Sequence, residues 1–159
     1  MQTEDLIRRA RSQQLADILR RSAARVPDRT ALVFRGHTDT FASLDRAVNR
    51  AANALAAEGI AKGDRVALLS HNSRSFVVLR FALARLGAVT TPVNFMLNPA
   101  DVAFILTHSG ARMMLAEDAL CATADAAMAE TGNPLPKFAI PHAGTATPEG
   151  WRPVSDLLD

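Results

Sequence analysis

Proton transfer, phosphate binding and covalent catalysis each need particular side chains, and this chain offers few of them. Its histidines are His37, His71, His108 and His142, its only lysines are Lys62 and Lys137, and its only cysteine is Cys121. No two histidines are spaced to share a metal ion, and none forms a nucleophile–base pattern with a serine or cysteine, so neither a metal site nor a catalytic residue is expected. A phosphate-cradling loop needs several glycines and a lysine together, because backbone N–H groups and an ammonium must surround the phosphates. "ETGNPLPKF" around Lys137 imitates that order. Gly132 falls where a helix should stop, however, and Pro134 and Pro136 remove two of the N–H donors. The segment therefore reads as a helix end followed by an extended lead into a strand. A dinucleotide fingerprint is excluded too, since "LLSHNSRSF" has no glycine where the strand turns into its helix.

Composition narrows the class further. A chain of 159 residues, 48% hydrophobic, can bury one respectable core. No apolar run is long enough to span a bilayer. The start, "MQTEDLIRRARSQQ", has no apolar stretch before a small-residue cleavage site, and Glu4 and Asp5 argue against an organelle transit peptide. A lone cysteine suits a reducing compartment, so a cytoplasmic protein is expected. Arg8, Arg9, Arg11, Arg20, Arg21 and Arg25 outnumber Glu4, Asp5 and Asp17 in the first 25 residues, while the whole chain carries only +2. No aromatic residue interleaves with these arginines, so a solvated helix face is expected and nucleic acid is not.

The elements that must position any site follow from periodicity. Leu15, Ile18, Leu19 and Ala23 recur at helical spacing until Pro27-Asp28. "ALVF" and "DTF" flank Arg35-Gly36-His37-Thr38 as a short hairpin. Leu44, Ala47, Val48, Ala51 and Leu55 make the stripe of a long helix, which Gly59 stops. "RVALLS" is a continuous apolar run, as in a strand buried on both faces. A helix capped by Asn72 or Ser73 and ended by Gly87 follows, then the strand "AVTTPV", in which Pro92 requires an end or an edge. Asn98-Pro99 opens the next helix, Gly110 closes it, and "ARMMLA", "CATADAAMAE" and "KFAI" supply strand, helix and strand. Strand and helix thus alternate in the manner of an open, mostly parallel three-layer α/β sheet with helices on both faces, preceded by a small hairpin. Residues 1–141 read as one α/β unit, and 142–159 as a loosely structured tail.

Ligands of such sheets gather beyond the carboxyl ends of the strands. Two loops stand there, "SHNS" at 70–73 and "NFMLN" at 94–98. Asn72, Ser73 and Asn98 each precede a helix and are expected to cap. His71, Asn94 and Met96 are the candidate cofactor contacts.

Five stretches in order, "LADILRRSAARVPDRTALVF", "TFASLDRAVNRAANAL", "GIAKGDRVALLSHNS", "ALARLGAVTTPVNFMLNPADVAFIL" and "SGARMMLAED", resemble the N-terminal part of AMP-forming acyl-CoA synthetases. The likeness runs over residues 15–117. It implies a protein whose full form activates a fatty or other carboxylic acid with ATP and Mg²⁺ to an acyl-adenylate and passes the acyl group to CoA. In that family the phosphate loop, the nucleotide contacts and the mobile C-terminal lysine all follow this region, so none can be carried onto it. The resemblance implies an N-terminal fragment, inactive alone, with a missing C-terminal portion and exposed apolar surface that could drive self-association. A free-standing α/β binding or interaction module descended from such an enzyme is the alternative. Two departures stand out. Ser43 occupies a position where the family favours an acidic capping residue, and Met96 one where many relatives carry a basic residue near the phosphates of CoA.

Overall fold

The computed structural model describes residues 14–142 and 146–158. It opens with helix α1 (Leu15–Arg25), hairpin strands β1 (Thr30–Phe34) and β2 (His37–Thr40), and the long helix α2 (Phe41–Ala57). Then come β3 (Arg65–Leu69), α3 (Arg74–Leu86), β4 (Val89–Val93), α4 (Pro99–Ser109), β5 (Met113–Glu117), a single 3₁₀ turn (Asp118–Leu120), α5 (Cys121–Thr131), β6 (Lys137–Ile140), β7 (Arg152–Pro153) and α6 (Ser155–Leu158). Strands β3 to β7 form one parallel sheet in the order β4-β3-β5-β6-β7. The architecture expected from the sequence, parallel sheet and separate hairpin included, is present.

Two cores lie on the two faces of this sheet, which is why β3 and β5 read as unbroken apolar runs. Val66, Leu68, Met113, Leu115, Phe138 and Ile140 face the layer of α1, α2, α3 and α6. Ala67, Leu69, Met114, Ala116 and Ala139 face α4 and α5. Each fully buried Leu or Ile here contributes about 1.5–3 kcal/mol relative to exposure. Pro92 lies on β4, an outer strand where a missing N–H costs no ladder bond. Helix ends follow side-chain chemistry. Thr40, Ser73 and Asn98 accept from the backbone N–H of Ser43, Phe76 and Asp101, and Gly87, Gly110 and Gly132 close helices in the left-handed conformation.

The hairpin turn is tighter than the four residues expected. Phe34 pairs directly with His37, leaving Arg35 (φ 48°) and Gly36 (φ 80°) as a two-residue turn. The stretch expected to be a loose tail is corrected more substantially. Beyond residue 145 it returns to the domain: Arg152 and Pro153 pair with Phe138 and Ala139, and Val154 and Leu157 are buried in the first core. Trp151 is buried in the second core, and its Nε1–H donates to Asp125 at 3.0 Å. One indole and two aliphatic side chains thus fix a segment whose glycine and proline content gave no periodic signal.

Candidate functional site

The chain turns from β3 outward to β4, then crosses back beyond β3 to β5. The carboxyl ends of β3 and β5 are therefore the point at which winding reverses, where helices leave the sheet on opposite faces and open a crevice. The loop after β3 brings His71 there, and the last residue of β5 is Glu117. Only 2% exposed, Glu117 is one of the few buried charged side chains among the described residues. Its Oε2 accepts from the His71 backbone N–H at 2.9 Å, and His71 Nδ1 lies 2.9 Å from the same oxygen. The imidazole also packs against the Phe95 ring, centroids 3.8 Å apart, so loops 70–73 and 94–98 meet across the crevice.

His142 joins from the end of β6. Its Nδ1 is 3.6 Å from Glu117 Oε2, and its backbone N–H donates to Asp118 at 3.2 Å. On its far side Arg35, from the hairpin turn, donates to the His142 carbonyl and stands 2.9 Å from Nε2. Guanidinium nitrogens only donate, so His142 Nε2 is the acceptor and its proton sits on Nδ1, which faces Glu117 but is buried without a hydrogen bond. Five segments far apart in sequence meet at this edge.

The candidates named from the sequence separate accordingly. His71 is held in the crevice by a buried carboxylate. Asn94 spends its side-chain oxygen locally, accepting from the Met96 N–H at 3.0 Å, and so shapes its own loop. Met96 is 76% exposed, and no packing holds its thioether in a core. Sequence reasoning passed over Glu117, which reads as the end of an apolar strand. An acidic residue closing a buried strand at the reversal point was the available signal.

A second polar node ties the hairpin to the start of α3. Asp39, 2% exposed, receives Arg74 at 2.6 and 3.0 Å, lies 3.1 Å from Ser43 Oγ and sits near His37 Nε2 at 3.2 Å. Burial alone would raise its carboxyl, but the Arg74 guanidinium outweighs it and holds the group below the usual aspartate range. Ser43, expected to leave the capping box half-filled, reaches Asp39 instead. Cys121 is a buried thiol pushed up to about 12, first by burial and then by Asp125 and Asp118. That rules it out as a nucleophile. Lys137 pairs with Asp125 at 2.6 Å and lies over the Trp151 ring, and Gly132 ends α5, so the phosphate-loop imitation is a helix stop as expected. A cleft of about 270 Å³ beside Lys137 and Met128 lies at the opposite end of the strands from this crevice. Among the described residues, no three His, Cys, Asp or Glu side chains gather to hold a metal, and no helix is long and apolar enough to cross a membrane.

Residues 19–150 match the model of the AMP-binding enzyme family, described as "AMP-binding enzyme". The chain belongs to this family. The long-chain-fatty-acid–CoA ligase FadD13 of Mycobacterium tuberculosis (strain ATCC 25618 / H37Rv) is 47% identical over 76 residues, 48% of this chain and 15% of that protein. The fatty acid–[acyl-carrier-protein] ligase ScoC of Streptomyces coeruleorubidus is 41% identical over 92 residues, 58% of this chain and 18% of its own length. A solved Mycobacterium tuberculosis fatty acyl CoA synthetase superposes with a TM-score of 0.74 at 35% identity, covering 81% of this chain and 26% of that one. The match thus spans less than a fifth of the two curated relatives, and the fold is that of one part of a larger ligase.

Proposed function

We propose that this AMP-binding family member is the N-terminal portion of an acid–CoA ligase. The full protein would activate a fatty or other carboxylic acid with ATP to an acyl-adenylate and pyrophosphate, then transfer the acyl group to CoA. The match over residues 19–150, on a segment that spans so little of the ligases it resembles, carries this reading. In it, β7 and α6 belong with the preceding strands and helices to the N-terminal α/β subdomain, and the chain leads on from there toward the remainder. The described residues supply no glycine-rich cradle, no free lysine at the crevice and no acidic cluster for Mg²⁺. They do not fit the triphosphate or its metal by themselves, and no chemical step is derived through them. The chain contributes one wall of the crevice, with His71, Asn94 and Met96 as its candidate contacts to CoA or nucleotide, and performs no ligation alone. Sequencing the reading frame beyond Asp159 tests this. A continuing frame with a glycine-rich, lysine-ended loop supports the reading, and a stop codon at that point overturns it in favour of a free-standing module.

A further inference from the structure

The crevice holds a pair that no motif names. Glu117 is buried at the end of β5, and one of its oxygens takes both polar hydrogens that His71 can aim at it, the backbone N–H and the one on Nδ1, each at 2.9 Å. A carboxylate oxygen only accepts, so in the neutral imidazole the proton sits on Nδ1 and the lone pair on Nε2. Phe95 packs on one face of the ring, 3.8 Å between centroids, and the His71 backbone is tied to the same oxygen. His71 is nonetheless 42% exposed through its side chain, and among the described residues nothing bonds its Nε2. An acceptor is thus presented at the reversal point of the sheet, steered by a group behind it. Carboxylates hold catalytic and ligating histidines in the same way.

We infer that Glu117 is a positioning residue and His71 a ligand-binding residue, whose Nε2 accepts a hydrogen bond from a neutral S–H, O–H or N–H group of the ligand rather than from a phosphate. This rests on the ligase reading above, in which the thiol-bearing, uncharged arm of CoA is such a ligand. With a neutral ring the pair carries the negative charge of Glu117, so a phosphate anion is repelled from Nε2 where an uncharged donor is not.

The test is long-range ¹H–¹⁵N correlation of the histidine rings in the labelled chain at about pH 8, where imidazoles are neutral. Wild-type His71 should show a protonated Nδ1 and an unprotonated Nε2. Glu117→Leu, which removes the acceptor, should shift it toward the Nε2-protonated form while His108, stacked on Phe104, stays unchanged as an internal control. If Glu117→Leu lowers the fraction folded, Glu117→Gln provides the second comparison and should keep the wild-type tautomer, because its amide oxygen can still accept from Nδ1–H. Pantetheine, which carries thiol, hydroxyl and amide donors and no charge, should then move the His71 Nε2 resonance at millimolar concentration, and inorganic phosphate should not. An Nε2-protonated His71 in the wild type, an unchanged tautomer in Glu117→Leu, a shift with phosphate alone, or no shift with either probe would each overturn the inference. None of these outcomes bears on whether the reading frame continues into a ligase, so the two proposals fail separately.

Discussion

Replacing Arg74 with methionine should destabilise the chain markedly, although Arg74 lies outside both apolar cores. The change keeps the aliphatic stem and removes the guanidinium, leaving the Asp39 carboxylate buried with only Ser43 and His37 beside it. Breaking a buried ion pair from one side costs about 3–5 kcal/mol. Arg74 retains 28% of its side-chain exposure, which places this pair at the low end, about 3 kcal/mol. For a chain of this size each kcal/mol moves the melting point by about 2–4 °C, so Arg74→Met should melt about 6–12 °C below wild type at pH 7. The sign of its pH dependence follows from Asp39, whose carboxyl is lowered in the folded state. Its contribution is fully present above the unfolded value near 3.9 and disappears as pH falls through the folded value. The gap between wild type and variant should therefore narrow in acid. Thermal melts by circular dichroism from pH 7 down to about pH 3 decide it. A variant melting within 2 °C of wild type at pH 7, or a gap that widens in acid, would refute the reasoning.

Other consequences are equally concrete. Gly110→Ala should cost more than Gly132→Ala in chemical denaturation. Both pay the strain of positive φ, about 1 kcal/mol, but only at Gly110 does the new Cβ come within 2.9 Å of the Arg65 guanidinium that binds the end of α4. Equal losses would count against that contact. Trp151→Ala should destabilise by about 3–5 kcal/mol, because a buried indole and its bond to Asp125 are lost together. A loss below 1 kcal/mol would show that the 151–158 segment is not part of the cooperative fold. Cys121 should resist Ellman's reagent at pH 8 in the native chain and react promptly once unfolded, and prompt reaction of the folded protein would contradict its burial.

Strands β3, β5 and β6 were legible because each is short, largely apolar and bracketed by a cap or a glycine, so local chemistry and global fold agree. β3 announced itself by burial on both faces, and Asn98-Pro99 announced α4 by its cap. The 151–158 segment was illegible for the opposite reason. β7 has two residues, one of them proline, and is fixed by Trp151, Val154 and Leu157 docking into cores built from residues distant in sequence. The site divides in the same way. His71 could be singled out because its loop lies at the carboxyl edge, but its partners come from 46 residues away at Glu117 and from the end of β6. Pairings across that separation are set by strand order, and nothing in the local sequence around Glu117 fixes which strand becomes its neighbour. Asn94 looked available because it is too early to cap α4, and its local turn onto Met96 shows that Asn side chains find backbone partners in loops as well as at helix starts.

The claim that most needs testing is that this chain is the framework of a carboxylic acid–CoA ligase and not its engine. The direct measurement is pyrophosphate release from ATP with Mg²⁺ and a panel of fatty and aromatic acids, made side by side on the 159-residue chain and on the protein encoded by the extended reading frame. Release, and thioester formation on adding CoA, is expected from the extended protein only. Release by the 159-residue chain, or by neither protein with any acid, would contradict it.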